Sequence, residues 1–518
     1  MAGARPHVQG SVSSTDRDWL EDLAKEFSLS HRAAILGEWR MLMGRSTRGP
    51  YPWQARLNRL LSSPGLLDRI RGAHRTARGG PRARTLEVLE RLATDVAIEQ
   101  HRPIARTRAR LQRRIVAFRP SWKGRKVNRA TVEGILRSRE DRSDREAAWS
   151  AQHPLEGSLE EEVRGLVRAR NQRARELGFR SFPEYRIAFE GFTLGKLQEL
   201  LEGLARYSRE ADRRRREQFE DATGLRDFYP WDEAFTDELV QKSPPSAFGR
   251  GEMVASVLAG TRQWGFGPAA LRFRIDQHDL PMGGISIPVE PPGDVRVIVH
   301  PSTGWERYMI LFHEVGHSVH SRSNAPQTPF LKCYDYVPGF FGFVEGVGTL
   351  FEEIPRSAAW LATRRGFDRR SAGRFSWIRN VASIAGAGRL VASVRTELEL
   401  YRNPSADLDR VGYDWSRRLS AWDSFEPPPF VDPFYVFSPV YVPSYVLAVL
   451  FAKQLLETML HELGGSTWPN PRFGPWLIEN WFRESGRFDW APQVARLTGR
   501  DLGPRAYNAW ARGVISEP

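Results

Sequence analysis

The chain has 518 residues, 41% of them hydrophobic, with 17 tryptophans, a single cysteine and a formal net charge of +14 at pH 7. That length permits two to four average domains or one large helical body with a cleft, and the apolar fraction suffices for a sizeable core. One cysteine, Cys333, excludes an intramolecular disulfide framework, and no run approaches the ~20 apolar residues of a membrane span. The opening MAGARPHVQGSVSSTDRDW has no apolar core of the secretory-signal kind. The expectation is therefore a soluble, cytoplasmic protein. The basic balance raises the question of nucleic acid. The arginines, however, are scattered through amphipathic segments rich in Glu and Asp, form no tail and match no nucleic-acid module. An arginine-rich coding bias accounts for them, and neither a nucleic acid nor a membrane is expected as a partner.

In chain order, residues 1–15 are expected to be disordered. From residue 16 to about 119 the pattern is helical, with Leu20, Leu23, Phe27 and Ile35 at three- and four-residue steps. The Arg-rich run RPIARTRARLQRR after His101 reads as a solvated helix face, ended by the Pro-Ser-Trp-Lys-Gly piece from Pro120. Long amphipathic helices follow, one stopped at Gly178, and another helix from about Leu194 carries the run Arg213 to Arg216. The chain then turns polar around Pro230 and Pro244-Pro245, which places a lobe boundary near residue 250: an N-terminal helical lobe at 16–250 and a metal-binding lobe at 251–518, parts of one intertwined unit. Strands are expected at 271–275 (LRFRI), 284–289 (GISIPV) and 295–299 (VRVIV), the last two a hairpin on the Pro-Pro-Gly-Asp turn. They would form a small antiparallel sheet whose edge can take an extended peptide by β-augmentation. The remainder reads as helix again at 340–351, 379–401, 441–461 and the Trp-rich end. The fold class is mostly α.

The chain is organised around HEVGHSVH, residues 313–320. His313 and His317 are one helical turn apart on one face and can supply adjacent corners of a tetrahedral zinc site. Glu314 cannot point the same way, and is placed to polarise a water at the metal, the logic of the HExxH motif. Trp305, Met309, Ile310 and Phe312 recur at near-helical spacing, so the motif lies on a buried helix, with Thr303 as expected N-cap and Glu306 completing a capping box. Two histidines need a third protein ligand. GFVEGVGTLFEE offers Glu345, Glu352 and Glu353. A carboxylate among Phe343, Val344, Val347 and Leu350 is costly to bury unless it binds a metal or another charge, so Glu345 is assigned. Gly342, Gly346 and Gly348 would let its helix approach a neighbour closely. Glu352, two turns on, reads either as a partner for a ligand histidine or as a helix-surface glutamate. His320 reads as a supporting or packing residue.

These motifs are similar to those of the gluzincin metallopeptidases, the group of angiotensin-converting enzyme, thimet oligopeptidase and oligoendopeptidase F. PPGDVRVIVHPSTGWERYMILFHEVGHSVH resembles the strand-then-helix approach to the site in the bacterial members. VEGVGTLFEEIPRSAAWL resembles their glutamate-bearing helix, and SPVYVPSYVLAVLFAKQL a segment that closes their site. The resemblance spans roughly residues 125–510. It implies a two-lobed helical body with a deep central channel, one catalytic zinc at its floor, and short or unfolded peptides as substrates. It also implies that Tyr441 and Tyr445 stabilise the tetrahedral intermediate. The family's Lys-x-His reads Asp432-Pro433-Phe434 here, and a further family histidine is replaced by Pro443, which points to a narrower substrate range. The function so read is hydrolysis of peptide amide bonds, with Glu314 as base and His313, His317 and Glu345 around one zinc. Its rivals are a repurposed pocket, acting on one dedicated peptide or without hydrolysis, and a basic nucleic-acid-binding protein.

Overall fold

The first helix, α1 (Ser14–Leu42), turns the three- and four-residue spacing of Leu20, Leu23, Phe27 and Ile35 into one buried face. The structure is a computed structural model, and it describes residues 14–516 except 48, 241–243, 245–246, 281–282, 325–327 and 424–431. The expected disordered N-terminus lies outside the described residues, save for its last two, which open α1. The Arg-rich run forms the helix Arg102–Ala117, which buries Ile104 and Leu111 and turns its arginines outward, Arg110 and Arg114 both reaching Glu162. The break after Pro120 is a two-residue hairpin, Ser121–Trp122 against Arg125–Lys126, absent from the sequence reading. Its turn residues Lys123 and Gly124 both have positive φ, the geometry that matches strand twist.

The helix His153–Glu176 ends just before Gly178, whose φ is +97°. The single helix expected from Leu194 through Arg216 is two, Leu194–Ala205 and Ser208–Thr223. The break lets each bury its own face: Leu197, Leu200, Leu201 and Leu204 on the first, Ala211, Arg215 and Phe219 on the second. The expected lobe boundary near residue 250 falls between the helices Glu233–Val240 and Met253–Arg262, and one hydrophobic cluster runs across it from Leu20 to Ile515.

Strands β1 (Arg274–Gln277), β2 (Gly284–Glu290) and β3 (Asp294–Val299) form one sheet in the order β1-β3-β2. β2 and β3 are the expected antiparallel hairpin, with Ile285 opposite Ile298. β1 starts three residues later than expected and runs parallel to β3, so the sheet is mixed and not antiparallel. The third strand inserts between the first two, paired antiparallel with β2 and parallel with β1. β3 is covered on both faces at its end, Val297 and Val299 toward the main core and Ile298 toward Ile35 and Trp39 of α1, which explains why its last three residues are all apolar.

From the sheet the chain passes into α2 (Trp305–Ser323). Its N-cap is Gly304, at φ +106°, with no side-chain cap, so the expected Thr303–Glu306 capping box does not form. The buried Trp305, donating to the Pro355 carbonyl at 3.1 Å, sets the start one residue later, and Glu306 pairs with Arg137 instead. Three further helices frame the site: α3 (Phe341–Phe351), α4 (Arg369–Arg402) and α5 (Val442–Leu463). α4 begins at Arg369 rather than 379, because Asp368 accepts from the Ser371 N–H and caps it. The molecule is mostly α, and among the described residues no helix is long and apolar enough to cross a membrane.

Candidate metal centre

The site is built where α2 and α3 cross. Gly316 makes the crossing close: a Cβ there would stand 3.0 Å from the Phe351 ring. Gly348 does the same opposite His313, so the imidazole lies directly against the backbone of α3. The His313 and His317 rings are 4.6 Å apart, edge to face. Glu345, one turn along α3, brings its carboxylate to 3.3 Å from His313 Nε2. One donor atom from each of His313, His317 and Glu345 lies within 4.8 Å of the others, a group that could hold a metal ion.

The three glutamates of GFVEGVGTLFEE have three different jobs. Glu345 faces the histidines. Glu352 Oε1 lies 3.0 Å from His313 Nδ1, and its other oxygen accepts from Arg356 at 2.8 Å. Glu352 is therefore the partner of the histidine and not a surface residue. Glu353 points elsewhere, into a buried ion pair with Lys453 at 2.8 and 2.9 Å. His320 is not in the cluster: it hydrogen-bonds Ser485 Oγ at 2.6 Å between the rings of Phe343 and Phe482.

The charges follow from burial and proximity. Burial works against an imidazolium at His313, but the carboxylates of Glu345 and Glu352 outweigh it and hold its pKa well above the ordinary value. Burial, with the neighbouring His313, lowers His317 to about 3. His317 Nδ1 is buried with no hydrogen-bond partner among the described residues. The donor chemistry suits zinc: two imidazoles and a carboxylate, one imidazole fixed in orientation through its outer nitrogen by Glu352, and acid–imidazole proximity that a metal can take over from a proton.

Glu314 leaves α2 on another side, toward β2. It is buried on the side of Ser286, and its pKa is pushed up to about 7 by burial, with a further push from Glu345. Gly284 leaves room for it, since a Cβ there would stand 3.1 Å from Glu314 Cγ. Tyr441, just before α5, donates to Glu345 Oε1 at 2.6 Å, and Tyr445, one turn on, stacks edge-on against it at 5.5 Å. Burial, then the carboxylates of Glu345, Glu314 and Glu352, raise the Tyr445 phenol above its ordinary range, so it stays protonated and able to donate. Tyr441 thus meets Glu345 and Tyr445 meets Tyr441, while Glu314 stands beside β2.

The altered positions have local roles too. Asp432 Oδ1 accepts from the Phe434 N–H at 2.8 Å, capping the turn Phe434–Phe437, and the Phe434 ring lies 6.1 Å from Tyr441. Pro443 sits in the first turn of α5, where a missing N–H costs nothing. Sequence reasoning missed Glu190. Its buried carboxylate accepts from the N–H groups of Phe341 and Gly342, at 2.9 and 3.2 Å, and from Trp490 Nε1 at 3.0 Å. It satisfies the first turn of α3 from some 150 residues away. No local pattern announces such a cap.

No protein-family model matches the sequence, and no curated protein matches it significantly. Solved structures do. An M32 carboxypeptidase from Deinococcus radiodurans superposes with a TM-score of 0.67 at 16% identity, covering 97% of this chain and 99% of that one. PZ peptidase A gives 0.70 at 13% identity, with 99% and 98% covered. Metallocarboxypeptidase 1 of Trypanosoma cruzi gives 0.66 at 15%, with 96% and 99% covered. At such identities the likeness establishes the fold: over the 96–99% of its length that is covered, this chain is built like metallopeptidases of the group its motifs resemble.

Proposed function

We propose that the protein is a zinc-dependent peptidase acting on short or unfolded peptides in the cytoplasm, in a channel between two lobes. The observation that carries the reading is the convergence of His313, His317 and Glu345 within 4.8 Å, with Glu314 on the same helix as the two histidines. One zinc ion per chain, held by these three, would supply Lewis acidity toward a carbonyl oxygen and lower the pKa of a water. Glu352 keeps His313 in the orientation that presents Nε2. Glu314, poised near pH 7 by burial, accepts the proton of the attacking water and returns it to the leaving amine. Tyr441 and Tyr445 donate toward the carbonyl oxygen as negative charge develops there. β2 is an edge strand of its sheet and lies next to Glu314, which suits an extended peptide laid alongside it.

The test is zinc-loaded protein incubated with a diverse peptide library, with products identified by mass spectrometry and Glu314→Gln as the control. Wild type should cut peptides. The variant should keep its zinc and lose activity by roughly 10²–10⁴-fold, since an amide cannot take the proton. Absence of products from zinc-loaded wild type, or a variant within about threefold of it, would reject the reading.

A further inference from the structure

The chain enters α5 through a turn that is costly on its own. Val440 is buried and has φ of +52°, the left-handed region that a β-branched residue avoids. Among the described residues the other non-glycine residue with positive φ is Lys123, in the exposed hairpin turn. Strain of this kind persists where surrounding structure over-determines it. Two groups from distant elements do so here. The Val440 N–H donates to Glu397 Oε1 of α4 at 2.7 Å, and the Pro439 carbonyl accepts from Arg186 at 3.3 and 3.4 Å. The next residue is Tyr441, whose phenol reaches Glu345 at 2.6 Å.

Glu397 is an expensive way to satisfy one N–H. It is 1% exposed, and among the described residues it makes no ion pair and has Val440 as its one hydrogen-bond partner. Burial pushes its pKa up to about 8, so near neutral pH it is largely the uncharged acid, and glutamine is a close mimic.

We propose that Glu397 is a positioning residue for Tyr441: by accepting from the Val440 N–H it holds the left-handed turn that aims the phenol at Glu345. This rests on the reading of Tyr441 as a donor in the peptidase site. A purely structural role would fill the core and leave the phenol where it is. The two differ in what they do to Tyr441.

The test uses the full zinc-loaded chain with 3-fluorotyrosine at position 441, read by ¹⁹F NMR, beside kcat and KM on a cleaved peptide. Wild type and Glu397→Gln should give one narrow resonance at the same shift, because the amide oxygen accepts as the acid does. Glu397→Leu should shift or broaden it, and lower kcat about tenfold or more with KM and bound zinc unchanged. That is a partial loss beside the roughly 10²–10³ of deleting an oxyanion donor. Adding Val440→Gly should recover the narrow resonance and much of kcat, since glycine adopts positive φ without steric cost. A Glu397→Leu protein with the wild-type resonance overturns the proposal. So does a loss of kcat, zinc and thermal stability together that Val440→Gly does not relieve. Should the leucine variant not fold, Glu397→Asp withdraws the acceptor by one methylene, and an unshifted resonance there overturns the proposal equally. If wild type cleaves no peptide, it is the peptidase reading that fails, while the resonance still decides whether Glu397 places Tyr441.

Discussion

His313 shows that a metal-type histidine is held as much by its outer nitrogen as by its inner one. Nε2 faces Glu345, while Nδ1 is held by Glu352, which is itself anchored by Arg356. The three glutamates should therefore separate in experiment. Glu345→Gln removes a direct donor and should weaken zinc most, as followed by competition with a chromogenic chelator. Glu352→Gln loosens only the orientation of His313 and should cost about 10–100-fold in affinity. Glu353→Ala should leave zinc unchanged but cost roughly 3–5 kcal/mol of stability, because it strands the buried Lys453 ammonium. If Glu353→Ala lost zinc while Glu345→Gln kept it, the assignment would be wrong. The sequence alone already singles out Glu345, since burial among apolar neighbours is a local signal. It leaves Glu352 between two readings for a physical reason. α3 stops at Phe351, and what a residue faces beyond a helix end is set by the chain it meets.

At the scale of elements, the glycines of α3 decide how near its neighbours α2 and α5 can come. A Cβ on Gly348 would stand 2.5 Å from His313 Cε1 and Nε2, and one on Gly346 would overlap the Phe451 ring of α5. These clashes have different consequences. Gly348→Ala must push His313 off its line to Glu345, so zinc affinity should fall at least tenfold, in line with the loss of other supports of a ligand histidine. Gly346→Ala overpacks the core, and should cost about 1–3 kcal/mol of stability with zinc retained. Equal zinc affinity in wild type and Gly348→Ala would mean that α3 can shift freely, against the packing seen here. The role of these glycines was legible because small residues spaced along an apolar helix imply a close neighbour. The sheet was legible as strands but not as a topology, since nothing in LRFRI says which way it runs beside VRVIV. The missing capping box is a similar case: Trp305 sits inside the four-residue pattern, but the Pro355 carbonyl it bonds lies 50 residues on.

Over the whole molecule, one core joins Leu20 to Ile515, and supports of the site come from far along the chain, Glu190 for α3 and Glu397 for the approach to α5. Such long-range partners have no signature in sequence, whereas the helical body and the HExxH face do, because periodicity is local. The same core buries ionisable groups that set the response of the molecule to acid. His320 is 3% exposed and outside the metal-type cluster, and burial lowers its pKa from 6.5 to about 3. It is thus neutral in the native state, while in the unfolded chain it takes up a proton near pH 6.5. Between those two values the unfolded state binds more protons, so stability is full above pH 6.5 and falls as the pH drops toward 3. The slope reaches about 1.4 kcal/mol per pH unit, which amounts to about 2 kcal/mol lost by pH 5. His320→Gln keeps a donor for Ser485 but cannot titrate. On going from pH 7.5 to pH 5, urea unfolding of wild type should therefore lose about 2 kcal/mol more than that of the variant. Parallel losses in the two proteins would show that His320 is already protonated inside the fold.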